Sequence, residues 1–200
     1  GNRTVMKKNI LIISVLINLI FSMQKILIPM DKIQSNHLKA YGIAFSSLEM
    51  NNKVEWLLNY RGGSFVFDYS NYIKKQCMLK NISYEILSIE EISMIYSSIE
   101  QENMELVILE KTPKIAVYSP PNQQPWDDAV TLALTYADIK YEVIFDDEVM
   151  NGDLYKYDWL HLHHEDFTGQ YGKFYRYRNQ PWYKEMENNF INTAKKYGFN

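Results

Sequence analysis

The sequence predicts an α/β protein built on an open, mostly parallel sheet with helices on both faces. Three observations carry this reading. Short, almost unbroken apolar runs recur at Ile26–Pro29, Ile115–Tyr118 and Trp159–Leu162, and runs of that kind suit strands buried on both faces. Between such runs lie amphipathic stretches of ten to fifteen residues. Strands alternating with helices of that length imply right-handed βαβ crossovers. Composition agrees: 46% apolar and 22% charged residues over 200 positions describe a packed chain of one domain, or one and a part.

In chain order, Lys25–Met30 forms the first strand. Ser35 and Asn36 offer N-caps to a helix over His37–Met50, with Leu38, Tyr41, Ala44, Phe45 and Leu48 on one face. Val54–Asn59 is a second strand, Arg61-Gly62-Gly63 a turn, and Ser64–Phe67 a further strand or hairpin arm. Asn71–Lys80 reads as helix, Tyr84–Leu87 as strand and Ile89–Glu100 as helix, while Gln101–Thr112 is ambiguous and ends at Pro113. The pattern then restarts with a strand at Lys114–Tyr118, a loop rich in Pro, Asn and Gln over Ser119–Pro125, and a helix over Trp126–Ala137. A strand at Tyr141–Phe145, an acidic segment with a turn at Gly152, a strand at Asp158–His163 and a helix over Tyr183–Tyr197 complete it.

The two halves echo each other at an offset of 89 residues, pairing Lys25-Ile26 with Lys114-Ile115, Ala40 with Ala129 and Val54 with Val143. They share a β-loop-α-β plan more than a demonstrable duplication. We therefore expect a leader over 1–22, an N-terminal α/β segment over 23–112 and the start of a second α/β domain over 113–200. Three clear strands after Pro113 fall short of the usual five or so of an open sheet, so either the first-half strands complete it or, as we expect, the natural protein continues past Asn200.

The N-terminus supplies an address. From Met6 the chain reads Lys7-Lys8-Asn9, then a twelve-residue apolar run from Ile10 to Phe21, then Ser22. A positive start, a short apolar core and a small residue make a secretory signal peptide. The run is shorter than the roughly 20 residues of a membrane span. Cleavage near Ser22 would place the mature protein in the periplasm or outside the cell, without a stable membrane span. An uncleaved anchor or a buried strand are the alternatives.

The net charge of −3 gives no basic face for nucleic acid. One cysteine, Cys77, rules out an internal disulfide and a multi-cysteine metal site. Its amphipathic setting fits a buried thiol better than a nucleophile. Sixteen Tyr and four Trp are present, and many aromatics crowd between Trp159 and Tyr183. Such a surface suits a planar or sugar-like ligand. The plainer reading is that Tyr fills half-buried positions.

Ligands of an open parallel sheet bind beyond the carboxyl ends of its strands. Three loops qualify. One carries Asp31 and Gln34. A second carries Ser119, Asn122, Trp126, Asp127 and Asp128. The third carries His161, His163, His164, Glu165 and Asp166. Imidazoles beside carboxylates suit Zn²⁺ or Fe²⁺, with His161, His163, His164 and Asp166 as ligands. No established metal motif matches, and a polar strand end with hydrogen-bonded histidines is the simpler alternative. Asp127, Asp128, His163, His164 and Glu165 are the candidate catalytic groups, Asp127 or Asp128 as a general base. Both aspartates also sit where a helix N-terminus favours carboxylates. Arg61, Gly62 and Gly63 could hold an anion, or simply make a hairpin turn. We expect the loops after Tyr118 and Leu162 to converge. Asp127 or Asp128 would then approach His163 and His164, with Trp126, Phe167 and Tyr171 as aromatic walls.

Two stretches carry a resemblance. Lys25-Ile-Leu-Ile-Pro-Met-Asp31, His37-Leu-Lys-Ala-Tyr-Gly-Ile-Ala-Phe45 and Trp56-Leu-Leu-Asn-Tyr-Arg-Gly-Gly-Ser-Phe65 form one. Lys114-Ile-Ala-Val-Tyr-Ser-Pro120, Gln124-Pro-Trp-Asp-Asp-Ala129 and Tyr157-Asp-Trp-Leu-His-Leu-His-His-Glu-Asp-Phe-Thr-Gly169 form the other. Together they resemble a family of exported bacterial proteins labelled asparagine synthetase B, whose members are about twice this length. The second half is similar to class I glutamine amidotransferase-like domains, which implies a flavodoxin-like doubly wound sheet. In those domains the last of these strands usually ends in Pro-Gly-Gly, where this chain has His163-His164-Glu165. Their catalytic cysteine falls further along, and Cys77 does not match it. The N-terminal Cys nucleophile and the Ser-Gly-Gly pyrophosphate loop of glutamine-dependent asparagine synthetases are absent. The resemblance thus implies an exported binding or accessory module without amidase activity of its own. The alternative is an exported, metal-assisted hydrolase acting on an amide or sugar derivative, and asparagine synthesis comes last.

Overall fold

The computed structural model describes residues 24–119, 128–162 and 175–199. The expected signal peptide lies outside the described residues. The chain divides into two compact units, Gly1–Thr112 with Thr135–Ile139, and Pro113–Leu134 with Lys140–Asn200. No described helix is long and apolar enough to cross a membrane.

The first unit contains β1 (Lys25–Ile28), α1 (His37–Glu49), β2 (Val54–Leu58), β3 (Ser64–Asp68), α2 (Asn71–Leu79), β4 (Glu85–Leu87), α3 (Ile89–Gln101) and β5 (Glu105–Leu109). Local chemistry sets the helix starts. Asn36 accepts the Lys39 N–H at 3.1 Å, Ser70 accepts that of Tyr72 at 3.2 Å, and Ser88 and Glu91 form a reciprocal capping box.

The strands lie in the order β4-β1-β3-β2-β5, and every neighbouring pair is antiparallel. This corrects the expectation of a mostly parallel sheet. β1 to β4 with α1 and α2 follow the split βαβ plan, in which β3 inserts between β1 and β2. α3 then leads to β5, which pairs with the outer side of β2. The apolar runs misled because both faces of this antiparallel sheet are covered. Ile26, Ile28, Val54, Phe65 and Phe67 pack with Ala40, Ile43 and Leu48 of α1 and Ile73 and Cys77 of α2. Leu27, Leu57 and Val66 pack with Ile92 and Ile99 of α3. A strand covered twice reads as continuously apolar whichever way its neighbours run.

The β2–β3 connection needs left-handed backbone. Asn59, Arg61, Gly62 and Gly63 all have positive φ, and a Cβ at Gly62 would overlap the Met30 carbonyl. Close approach therefore demands glycine there as much as conformation does. The Met30 N–H donates to the Arg61 carbonyl at 3.1 Å, tying the turn to the end of β1. Residues 135–139 belong to this unit too: a Cβ at Gly42 of α1 would meet the Ala137 carbonyl oxygen, and Asp138 pairs with Lys39 and Lys80.

The second unit contains β6 (Ile115–Tyr118), α4 (Ala129–Tyr136) up to Leu134, β7 (Glu142–Ile144), α5 (Asp146–Met150), β8 (Trp159–Leu162) and α6 (Pro181–Lys196). Its three strands are parallel in the order β7-β6-β8. β6 is central, as expected. β8 is not: among the described strands it is an edge, with Trp159 43% and Leu162 41% exposed. Register sorts the faces. Val117 pairs with Val143 and His161, and Tyr118 with Ile144 and Leu162, so these triplets project on opposite sides. Asp128, just before α4, meets His161 on one side, and Asp146 of α5 accepts from the Tyr118 hydroxyl on the other at 2.5 Å. The echo between the halves does not extend to topology. In the first unit β3 separates β1 from β2, whereas β6 and β7 are direct neighbours.

Candidate functional site

The site lies at the carboxyl edge of the second unit's sheet, where strand order reverses around β6. β6 leads to α4 and β7 on one side, and the chain then crosses to β8 on the other, which is the arrangement that opens a crevice in doubly wound sheets. Asp128 is positioned by local chemistry. Its Oδ1 accepts the N–H groups of Val130 at 2.7 Å and Thr131 at 3.2 Å, and the Thr131 hydroxyl donates to its carbonyl at 3.0 Å. It is thus the N-cap of α4.

The same Oδ1 lies 3.0 Å from Nε2 of His161, and both side chains are largely shielded. Burial raises the Asp128 carboxyl's pKa. The Thr131 and Val130 N–H groups and His161 outweigh it and hold the group below the usual aspartate range. Asp128 is therefore ionised and can only accept, so Nε2 of His161 carries the proton of this bond. In the neutral ring, Nδ1 keeps its lone pair. A carboxylate fixing one imidazole nitrogen so that the other can act is a recurring device of acid–base and metal sites.

Ser119 follows β6 and extends its ladder, its N–H donating to the Ile144 carbonyl at 3.0 Å. Alternation puts it on the face of Val117, whose register partner is His161. Ser119 is 1% exposed, and its Oγ has no hydrogen-bond partner among the described residues. A buried hydroxyl left unpaired costs about 1–3 kcal/mol, and native proteins keep few of them.

Of the expected site residues, the structure brings Asp128 and His161 together. Trp126, Asp127, His163, His164, Glu165, Asp166, Phe167 and Tyr171 lie outside the described residues. Among the described residues no group of three or more His, Cys, Asp or Glu could hold a metal ion.

The first unit's candidates make contacts within that unit. The Arg61 guanidinium donates to Asp31 at 2.8 Å and to Glu85 at 2.7 Å, and Arg61 holds the Asp31 carboxyl below its usual range. Buried Gln34 bridges the Pro29 carbonyl and the Ser83 backbone. Cys77 is fully buried, and burial pushes its thiol up to about 12. The Asp128–His161 pairing had no sequence signal beyond Asp128 lying in the loop after one strand and His161 near the end of another, because a sequence separation of 33 hides the contact.

No protein-family model, curated protein or solved structure matches this chain.

Proposed function

We propose that this chain is an exported α/β protein whose second unit is a binding or accessory module of the class I glutamine amidotransferase-like kind. It takes a small polar ligand at the carboxyl edge of the β7-β6-β8 sheet and has no amidase activity of its own. The carboxylate-oriented imidazole carries this reading. Asp128 holds His161 by Nε2, which leaves Nδ1 to accept a hydrogen bond from a ligand hydroxyl or amide. The Ser119 hydroxyl, without a partner among the described residues, offers a second polar contact on the same face. No activated thiol stands beside them among the described residues, since Cys77 is buried in the first unit.

Calorimetric titration of the full chain with glutamine, asparagine and N-acetylglucosamine tests the reading, together with an assay for ammonia release. We expect one of these ligands to bind, about tenfold weaker binding in His161→Ala and Ser119→Ala, and no ammonia. Ammonia release, or affinity indifferent to both substitutions, would sink it. The second reading, a metal-assisted hydrolase, draws on the same Asp128–His161 contact, because a carboxylate commonly orients a metal-bound histidine. Stoichiometric zinc or iron in purified protein supports that reading, and metal-free protein indifferent to chelator removes it. Export is tested by the N-terminal residue of the mature protein, expected at Met23.

A further inference from the structure

Between Tyr175 and Lys184 the chain carries three cations, Arg176, Arg178 and Lys184, and no carboxylate, although its net charge is −3. Several cations elsewhere are paired: Arg61 with Asp31 and Glu85, Lys25 with Glu55 and Asp68, Lys196 with Asp147. Arg176 and Arg178 have no carboxylate partner among the described residues. Each guanidinium instead lies over a tyrosine ring, Arg176 over Tyr177 and Arg178 over Tyr175, both at 4.6 Å from the centroid. Arg178 is held further by donating to the Tyr175 carbonyl at 3.3 Å.

A guanidinium held over an aromatic ring still presents N–H groups that can grip a carboxylate or sulfate in bidentate fashion. Beside the arginines stands Trp182, 47% exposed. It rests edge-on against buried Tyr183 at 5.8 Å and 71°, and contacts Tyr177 at 5.7 Å. A ring anchored in this way offers a rigid apolar face at small entropic cost. α6 begins here at Pro181 without a side-chain cap, so the positive end of its dipole adds to the patch.

We propose that this exposed patch of Arg176, Arg178, Trp182 and Lys184 binds an acidic polysaccharide, its carboxylate or sulfate groups on the two guanidiniums and the C–H face of a sugar ring on Trp182. Charge complementarity selects an anion, and the single anchored indole selects a sugar ring. Nucleic acid is the poorer occupant, because its affinity comes from many phosphate contacts over an extended basic face, and this chain is net acidic. The proposal stands independently of the sheet-edge site.

The test titrates the full chain with alginate oligosaccharide, chondroitin sulfate, neutral dextran and single-stranded oligo-dT. We expect alginate or chondroitin sulfate to bind, to weaken as salt shortens the screening length, and to exceed dextran at least about tenfold. Arg176→Gln/Arg178→Gln and Trp182→Ala should each weaken binding about tenfold; the exposed arginine pair should leave the thermal midpoint unchanged, whereas Trp182→Ala also loses its contacts with Tyr177 and Tyr183. Should the glutamine pair misfold, Arg176→Lys/Arg178→Lys keeps the charge and removes the planar fork, and is expected to bind more weakly than the native chain. Tighter binding of oligo-dT, equal binding of dextran, no binding of either acidic glycan, or affinity indifferent to the substitutions overturns the proposal.

Discussion

Asp128 and His161 meet at 3.0 Å across 33 residues of chain, through the same carboxylate oxygen that caps α4. One atom therefore couples the start of a helix to the orientation of an imidazole on the neighbouring strand. Loosening α4 releases the histidine, and removing the histidine leaves the cap intact.

That asymmetry separates two substitutions. Asp128→Ala should destabilise the second unit by about 1–2 kcal/mol through the lost cap. Asp128→Asn keeps an accepting oxygen and should stay within about 0.5 kcal/mol of the native chain. Amide hydrogen exchange at Val130 and Thr131 is the readout. Equal exchange in both variants would mean that the cap is not what secures the helix.

The pH dependence follows from the direction of the Asp128 shift. Its folded carboxyl titrates below the ordinary value of 3.8. The resulting stability is fully present above that value and disappears as pH falls through the lowered folded one. An acid titration of the second unit should fall more steeply below the ordinary value in the native chain than in Asp128→Asn. Parallel curves would show that the group contributes nothing there.

Gly62 and Gly152 make a matched pair. Both have φ near +80°, at +82 and +81, but only Gly62 lies against another backbone, at Met30. Gly152→Ala should cost about 1 kcal/mol for the strained conformation alone. Gly62→Ala adds the clash and should cost at least about 2 kcal/mol. Denaturant midpoints for the unit that holds each residue decide it, and equal losses would show that the contact with Met30 gives way freely.

Cys77 should be inert in the folded chain. Burial pushes its thiol up to about 12, so near pH 8 the thiolate that reacts with disulfide reagents is scarce as well as inaccessible. We expect no colour with dithionitrobenzoate until denaturant is added, then one thiol per chain. Prompt reaction of native protein would contradict the burial.

Local sequence determined most of the elements. The caps Asn36, Ser70 and Ser88 act within three residues of their targets, and apolar periodicity is a property of consecutive positions, so helices and strands were legible as such. β5 was missed because half-exposed Glu105–Leu109 has too mixed a pattern to outweigh a helix. Local sequence also carried the α/β class and placed Asp128 and His161 at the ends of their elements. Tertiary structure alone decided which strands pair and in which direction. A strand's partners are non-local, and an apolar run records only that both faces are covered. Hence β1 proved antiparallel to β3 and β4, and β8 proved an edge among the described strands. The bond between Asp128 and His161 belongs to the same category, because it joins residues 33 apart on separate elements.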